Sequence, residues 1–456
     1  MKDKPIFDLL KEHSASGDLP MHMPGHKRDG SLLRGLLAFD ITEIPGFDDL
    51  HDPRGIIAYA EESAARVWGA ERAHILVNGS TVGILAAFHA LCSRGERVIV
   101  ARNCHKSVYH AIELLDLDAR FITPEIHGND LFYGEILSNN VGKAIADSLA
   151  EGKKPALAAI TSPTYEGVIS DVAAISAVCR EYGVPLLVDS AHGAHLGVIP
   201  GFPGSAVKAG ADVVVLSLHK TLASLTQTAL ILCPASLDTR ITHALDIFET
   251  SSPSYLLIGS ADECIRRVEE NAGEISSRWL SALADCRKRL SALRSLELIP
   301  VDEPSKLIIS TAKCGITGGE LAITLKNRFS ITVEAALPGY VIAMTGAGDS
   351  PESLGRFADA LLAIDGEPAD GTCYRLRTDK LPPLSAPPVS LPVSAALRLP
   401  RESVPLDKAA DRICAEYITP YPPGIPLIVP GETVTEEAAE AIRFYLPDRN
   451  TVLCVV

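Results

Sequence analysis

Between residues 56 and 290 the chain alternates short, uninterrupted apolar runs with stretches of helical periodicity. The runs are HILVN (74–78), RVIVA (97–101), ALAAIT (156–161), PLLVD (185–189), DVVVLS (212–217) and ALILC (229–233). None alternates polar with apolar residues, so each reads as a strand covered on both faces. Helical patterns lie between several of them, as at 82–92 and 172–182. That rhythm predicts an α/β layer built on a mostly parallel sheet.

A second, smaller α/β unit follows over 307–364, with KLIIST and YVIAMT as strands and GGELAITLKNR as a helix. Residues 365–405 then turn Pro-rich (LPPLSAPP, LPRESVP) and read as a linker. Beyond it the pattern predicts a helix over 406–416, the turn-rich YPPGIP, and a closing helix over 436–445. Residues 1–55 are irregular and rich in Gly, Pro and His, with one amphipathic start at 6–10. The expected organisation is an N-terminal segment (1–55), a large domain (56–300), a small α/β domain (301–364), the linker (365–405) and a C-terminal domain (406–456).

Composition narrows the function classes. Of 456 residues 47% are hydrophobic and 22% charged, enough for a large folded core. Lys and Arg total 42 against 57 Asp and Glu, and the net charge of −15 repels nucleic acid and anionic lipid, so neither is an expected partner. The N-terminus lacks a signal-peptide pattern, and no apolar run reaches the roughly 18 residues a membrane helix needs. The ten cysteines are scattered without a CxxC pair, which suits free thiols in the cytoplasm.

Three segments at the ends of predicted strands carry the chemistry. In DVVVLSLHKTLASLTQ, Lys220 follows a buried strand in a turn with Ser217, His219 and Thr221. Open α/β sheets bind ligands at this edge, and a desolvated lysine there can form a Schiff base with a carbonyl. Taken alone, such a lysine could equally snorkel to solvent. In PLLVDSAHGAH, Asp189 ends another strand 31 residues earlier, the span of one strand-crossover-strand unit. A carboxylate there could cap the following loop, or it could hold the pyridinium proton of pyridoxal phosphate while Lys220 holds the aldehyde. His192 and His195 in that segment lack a third ligand at metal-site spacing, so no metal is expected. In HILVNGSTVGILAAF, Asn78-Gly79-Ser80-Thr81 sits between strand and helix, where backbone N–H groups and hydroxyls can cup a phosphate.

With these segments in view, the chain resembles the fold-type I pyridoxal-phosphate enzymes and, within them, the Orn/Lys/Arg decarboxylase family. The resemblance runs through MPGHKR (23–28), NGSTVG (78–83), RNCHKS (102–107), SPTYEG (162–167), VDSAHGAH (188–195), SLHKTLASLTQ (217–227), TSSPSY (250–255) and YPPGIPLIVPGE (421–432). It implies a short form without the N-terminal wing domain of larger members. It also implies pyridoxal 5'-phosphate as cofactor, a basic amino acid as substrate (arginine first, then lysine or ornithine), and a homodimer. By the same resemblance Lys220 is the Schiff-base lysine, Asp189 the pyridinium partner, and His105 the group stacked on the ring. Ser80, Thr81, Ser217 and His219 hold the phosphate, His192 lies near the ring oxygen, and Ser252 reaches the neighbouring subunit's phosphate. Lys220 or His219 returns the proton to Cα. Glu432, after a Pro-Gly turn, is the candidate partner for the substrate's distal cation. Two positions depart from many relatives, Ser190 in place of Glu and SLHK in place of STHK. An aminotransferase or carbon–carbon lyase on the same fold, or an inactive regulatory paralogue, stand as the alternatives.

Overall fold

The structure is a computed structural model that describes residues 4–16, 37–127, 131–366, 386–421 and 424–456. The motif at 23–28 and residues 367–385 of the Pro-rich stretch lie outside the described residues. The fold is α/β, with parallel strands at its centre, and the chain divides into two compact units, 1–91 with 187–276 and 92–186 with 277–456.

In the first unit the strands Arg72–Leu76, Ala229–Cys233, Val213–Ser217 and Leu186–Asp189 lie side by side in that order. Val213–Ser217 runs parallel to Leu186–Asp189 and antiparallel to Ala229–Cys233, which is antiparallel to Arg72–Leu76. Every residue of Val213–Ser217 and Ala229–Cys233 is buried, as their unbroken apolar runs require. The helix Gly79–Leu91 packs onto these strands at Gly83, where a Cβ would come within 2.8 Å of the Leu76 side chain and 3.0 Å of Val215. Only a residue without a side chain lets helix and strands approach so closely. Near the N-terminus the helix Ile6–Ala15 extends the amphipathic start and is pinned by a hydrogen bond from the Ile6 N–H to Asp262.

The second unit contains Arg97–Ala101 with a parallel strand on each side, Asp118–Ile122 and Leu157–Thr161. It also contains an antiparallel sheet in the order Glu297–Ile299, Lys306–Ser310, Tyr340–Met344, Ala335–Leu337. Helix Gly318–Phe329 of this part starts at a reciprocal cap between Thr317 and Glu320. The C-terminal region pairs Arg401–Pro405 with Thr451–Val455 over a core of Ile418, Ile428, Val434, Ile442 and Val452. The closing helix falls at Glu436–Tyr445, as the pattern predicts.

The helix expected over 406–416 does not form. A single 3-10 turn at Leu406–Lys408 gives way to Asp411 in the left-handed region (φ 63°). The N–H groups of Asp411, Cys414 and Ala415 then donate to the carbonyls of Val434, Glu432 and Leu453. Good helix formers fill this stretch, but neighbouring segments take its backbone groups, and tertiary pairing overrides intrinsic propensity.

Candidate active site

Most of the expected site residues fall in the first unit. Strand Arg72–Leu76 runs into Asn78 and Gly79, and Gly79 adopts φ 74°, a value natural only to glycine. Its N–H donates to the Gln227 carbonyl at 2.9 Å, which fixes the turn. The helix that starts here presents its first N–H groups, together with half-buried Ser80 and exposed Thr81, at its positive end. Ser80 Oγ lies 2.6 Å from the Oγ of Ser217, the buried last residue of its strand. The sequence separates these hydroxyls by well over a hundred residues, and the sheet brings them into contact.

Lys220 sits in the one-turn helix Leu218–Thr221 that follows the same strand. Its Nζ lies 3.0 Å from His192 Nε2. Asp189 is 5% exposed and accepts a hydrogen bond from the Ala191 N–H at 3.1 Å. Burial pushes the Asp189 carboxyl above its ordinary range, while the Lys220 charge and the Ala191 bond pull it back. His219 Nδ1 lies 2.9 Å from the Thr228 carbonyl. A carbonyl only accepts, so Nδ1 carries the proton and Nε2 keeps the lone pair. Burial lowers the His219 pKa, the Thr228 bond opposes that, and the Lys220 charge lowers it further.

Glu249 is a positioning residue that sequence reasoning missed. Its carboxylate accepts from the Val77 N–H at 3.2 Å and from the Thr250 N–H at 3.1 Å. It therefore fastens the strand end before the Asn78-Gly79 turn to the TSSPSY loop, where Ser252 is exposed with its Oγ 3.4 Å from Thr250 Oγ1. A lone Glu at a helix end gives no motif to read.

His105 and Glu432 lie in the second unit. His105 caps helix Lys106–Leu114, with Nδ1 accepting from the Ser107 N–H at 3.3 Å and lying 2.9 Å from Ser107 Oγ. Gly424 packs against it, for a Cβ there would stand 3.0 Å from His105 Cδ2, and the Gly424 carbonyl accepts the Lys106 N–H. RNCHKS and YPPGIP thus meet in space. Glu432 is fully buried, with Oε2 accepting from Arg102 at 3.1 Å and from the Val429 N–H at 2.8 Å. Its Oε1 has no hydrogen-bond partner among the described residues. Burial raises the Glu432 carboxyl and Arg102 counters it. Arg102, buried and also donating to the Pro426 and Leu427 carbonyls, is a second residue the sequence did not single out.

The donor set of the first unit fits pyridoxal phosphate. Two hydroxyls at a helix N-terminus suit a phosphate dianion, a lysine held against an imidazole suits an aldehyde, and a buried carboxylate suits a cationic ring nitrogen.

Comparison with known proteins bears on the same point. The family model of the Orn/Lys/Arg decarboxylase major domain matches residues 4–321, and that of the C-terminal domain matches residues 388–450. The arginine decarboxylase of Bacillus subtilis (strain 168) is 31% identical over 455 residues, covering 95% of this chain and 92% of its own. The arginine decarboxylase of Bacillus anthracis is 30% identical over 467 residues, covering 97% and 92%. Among solved structures, the Francisella novicida lysine decarboxylase LdcF superposes with a TM-score of 0.83 at 18% identity, covering 99% of this chain and 81% of that one. At that identity the likeness speaks for the fold.

Proposed function

The chain belongs to the Orn/Lys/Arg decarboxylase family and is a pyridoxal-phosphate-dependent decarboxylase, and from that premise we propose that it converts arginine to agmatine and CO₂. Two near-full-length relatives named as arginine decarboxylases support that substrate, with lysine and ornithine behind it. The observation that carries the reading is the buried Asp189 carboxylate, on the strand beside the one that leads to Lys220.

When bound, the cofactor supplies an electron sink for the pair left on Cα as CO₂ departs. Lys220 would hold the cofactor's aldehyde through its amine. Asp189 keeps a proton on the ring nitrogen, because a buried carboxylate stabilises a cation placed against it. Ser80, Thr81, Ser217 and His219 would hold the phosphate, a role supported by the contact of the Ser80 and Ser217 hydroxyls, and His192, in contact with the Lys220 amine, would lie near the cofactor's ring oxygen. Lys220, with His219 next to it in sequence, returns a proton to Cα.

On the resemblance to the family, we assign His105 to stack on the cofactor ring and Glu432 to pair with the substrate's guanidinium. The Glu432 oxygen without a partner supports that role, since a cation buried without a counter-charge costs several kcal/mol. Ser252 on its exposed loop supports a homodimer in which each subunit touches its neighbour's phosphate. On the resemblance to the family we assign it a cytoplasmic role in polyamine synthesis; no helix among the described residues is long and apolar enough to cross a membrane.

The test is to incubate the cofactor-loaded protein with arginine, lysine and ornithine separately and identify the amine formed. Agmatine is expected. Cadaverine or putrescine instead would overturn the substrate and leave the reaction class standing.

A further inference from the structure

We propose that His74, Cys233 and Asp238 form a binding site for one borderline divalent transition-metal ion, of which zinc is the reference case. One donor atom from each residue lies within 4.8 Å of the others. Ligand bonds of about 2.0–2.3 Å in a tetrahedral zinc site place donor atoms roughly 3.3–3.8 Å apart, so side-chain shifts of about an ångström close the set. His74 Nε2 is already 2.9 Å from Asp238 Oδ1.

Three separate elements supply the ligands: strand Arg72–Leu76, strand Ala229–Cys233, and the first residue of helix Asp238–Phe248. Residues 74 and 233 sit on neighbouring antiparallel strands, and their spacing along the chain matches no metal motif. The other ring nitrogen of His74 lies 3.9 Å from the Glu61 carboxylate, too far for a hydrogen bond but near enough to add negative charge beside the three donors. A cavity of about 430 Å³ is lined by His74 and Asp238, with room for a water as a further ligand on their side, while Cys233 lies off its wall. Its wall also carries Glu62, Glu71 and Asp246 against the cations Arg72 and His51, so its excess charge is negative. Arg72 Nε engages Asp238 Oδ2 at 3.3 Å and leaves Oδ1 to face His74.

The donor chemistry selects the ion. A buried thiol and an imidazole beside one carboxylate favour zinc, cobalt or nickel, whereas magnesium and calcium take oxygen ligands. In the ion-free protein a proton occupies the same place. Burial opposes charge on His74, but hydrogen bonds to Asp238 and Cys233 push its pKa up to about 10. In a plain His–Asp ion pair Cys233 is only a hydrogen-bond partner of His74 and gives no thiolate–metal band, and that band separates the two readings.

The experiment uses the full cofactor-loaded chain, freed of metal by chelation and dialysis, then titrated with Zn²⁺ by calorimetry and with Co²⁺ by absorbance. One equivalent is expected to bind in the micromolar range or tighter. Co²⁺ is expected to give a thiolate charge-transfer band in the near ultraviolet and visible bands of tetrahedral intensity. Cys233→Ser should abolish the near-ultraviolet band, and His74→Gln or Asp238→Asn should weaken binding at least about tenfold. Should Cys233→Ser fail to fold, Asp238→Asn at its partly exposed position carries the test, with the melting temperature checked in parallel. Absence of saturable binding to the parent protein overturns the site. Binding unchanged in His74→Gln and Asp238→Asn overturns it equally, because the ion would then sit elsewhere.

Discussion

Lys220 Nζ and His192 Nε2 stand 3.0 Å apart, on segments that follow two adjacent parallel strands. That contact aims the amine instead of leaving it to wave in solvent.

Lys220→Ala should abolish covalent attachment of the cofactor and lower turnover by at least about a thousandfold, with the fold kept. Borohydride reduction followed by peptide mapping checks it. A reduced adduct in the variant, on any other lysine, would assign the role elsewhere.

Ser80→Ala and Ser217→Ala should each weaken cofactor binding about tenfold or more, because each removes a hydroxyl that we assign to the cofactor's phosphate. Their hydroxyls touch at 2.6 Å, so the double variant should lose less than the product of the single losses. Equilibrium dialysis on the three variants decides.

His219 offers a pH test whose sign follows from its environment. Burial first, and then the Lys220 charge, lower its pKa in the folded protein despite the Thr228 bond. Below about pH 6.5 the unfolded chain binds a proton there that the folded one does not, so stability from this group falls as pH drops from about 7 to 5. His219→Gln should therefore show a shallower loss of melting temperature between those pH values. An identical slope would mean that the imidazole titrates alike in both states.

Glu432→Gln should raise KM for arginine at least about tenfold while changing the cofactor dissociation constant less than about twofold. Both constants are measured on parent and variant. An unchanged KM removes Glu432 from the substrate.

Arg102→Gln acts on the same pair from the other side. It leaves the Glu432 carboxylate buried without its counter-charge, and the expected cost is about 3–5 kcal/mol in unfolding free energy, read by urea titration. A loss below about 1 kcal/mol would show that Glu432 takes up a proton at little cost.

The strand runs were legible because burial on both faces leaves an unbroken apolar signature, and RVIVA and ALILC coincide with Arg97–Ala101 and Ala229–Cys233. That Lys220, Asp189 and the Ser80 turn fall at or just after strand ends was legible for a related reason, because the apolar runs stop there. Long-range partnerships were not. Arg102 meets Glu432 across 330 positions and His74 meets Asp238 across 164, and no local pattern encodes either. Residues 406–416 misled for the converse reason: their composition favours a helix, but the carbonyls of Val434, Glu432 and Leu453 claim their N–H groups.

Gly83 touches no expected ligand, yet it sets how closely the helix beginning at Ser80's turn lies on the strand ending at Ser217. The gap between the two hydroxyls is therefore governed by a methyl group that is missing one helical turn away. Affinity for an anion at that helix start becomes a matter of spacing between layers. A mutational survey confined to side chains that reach the ligand would pass over the position with the most mechanical advantage.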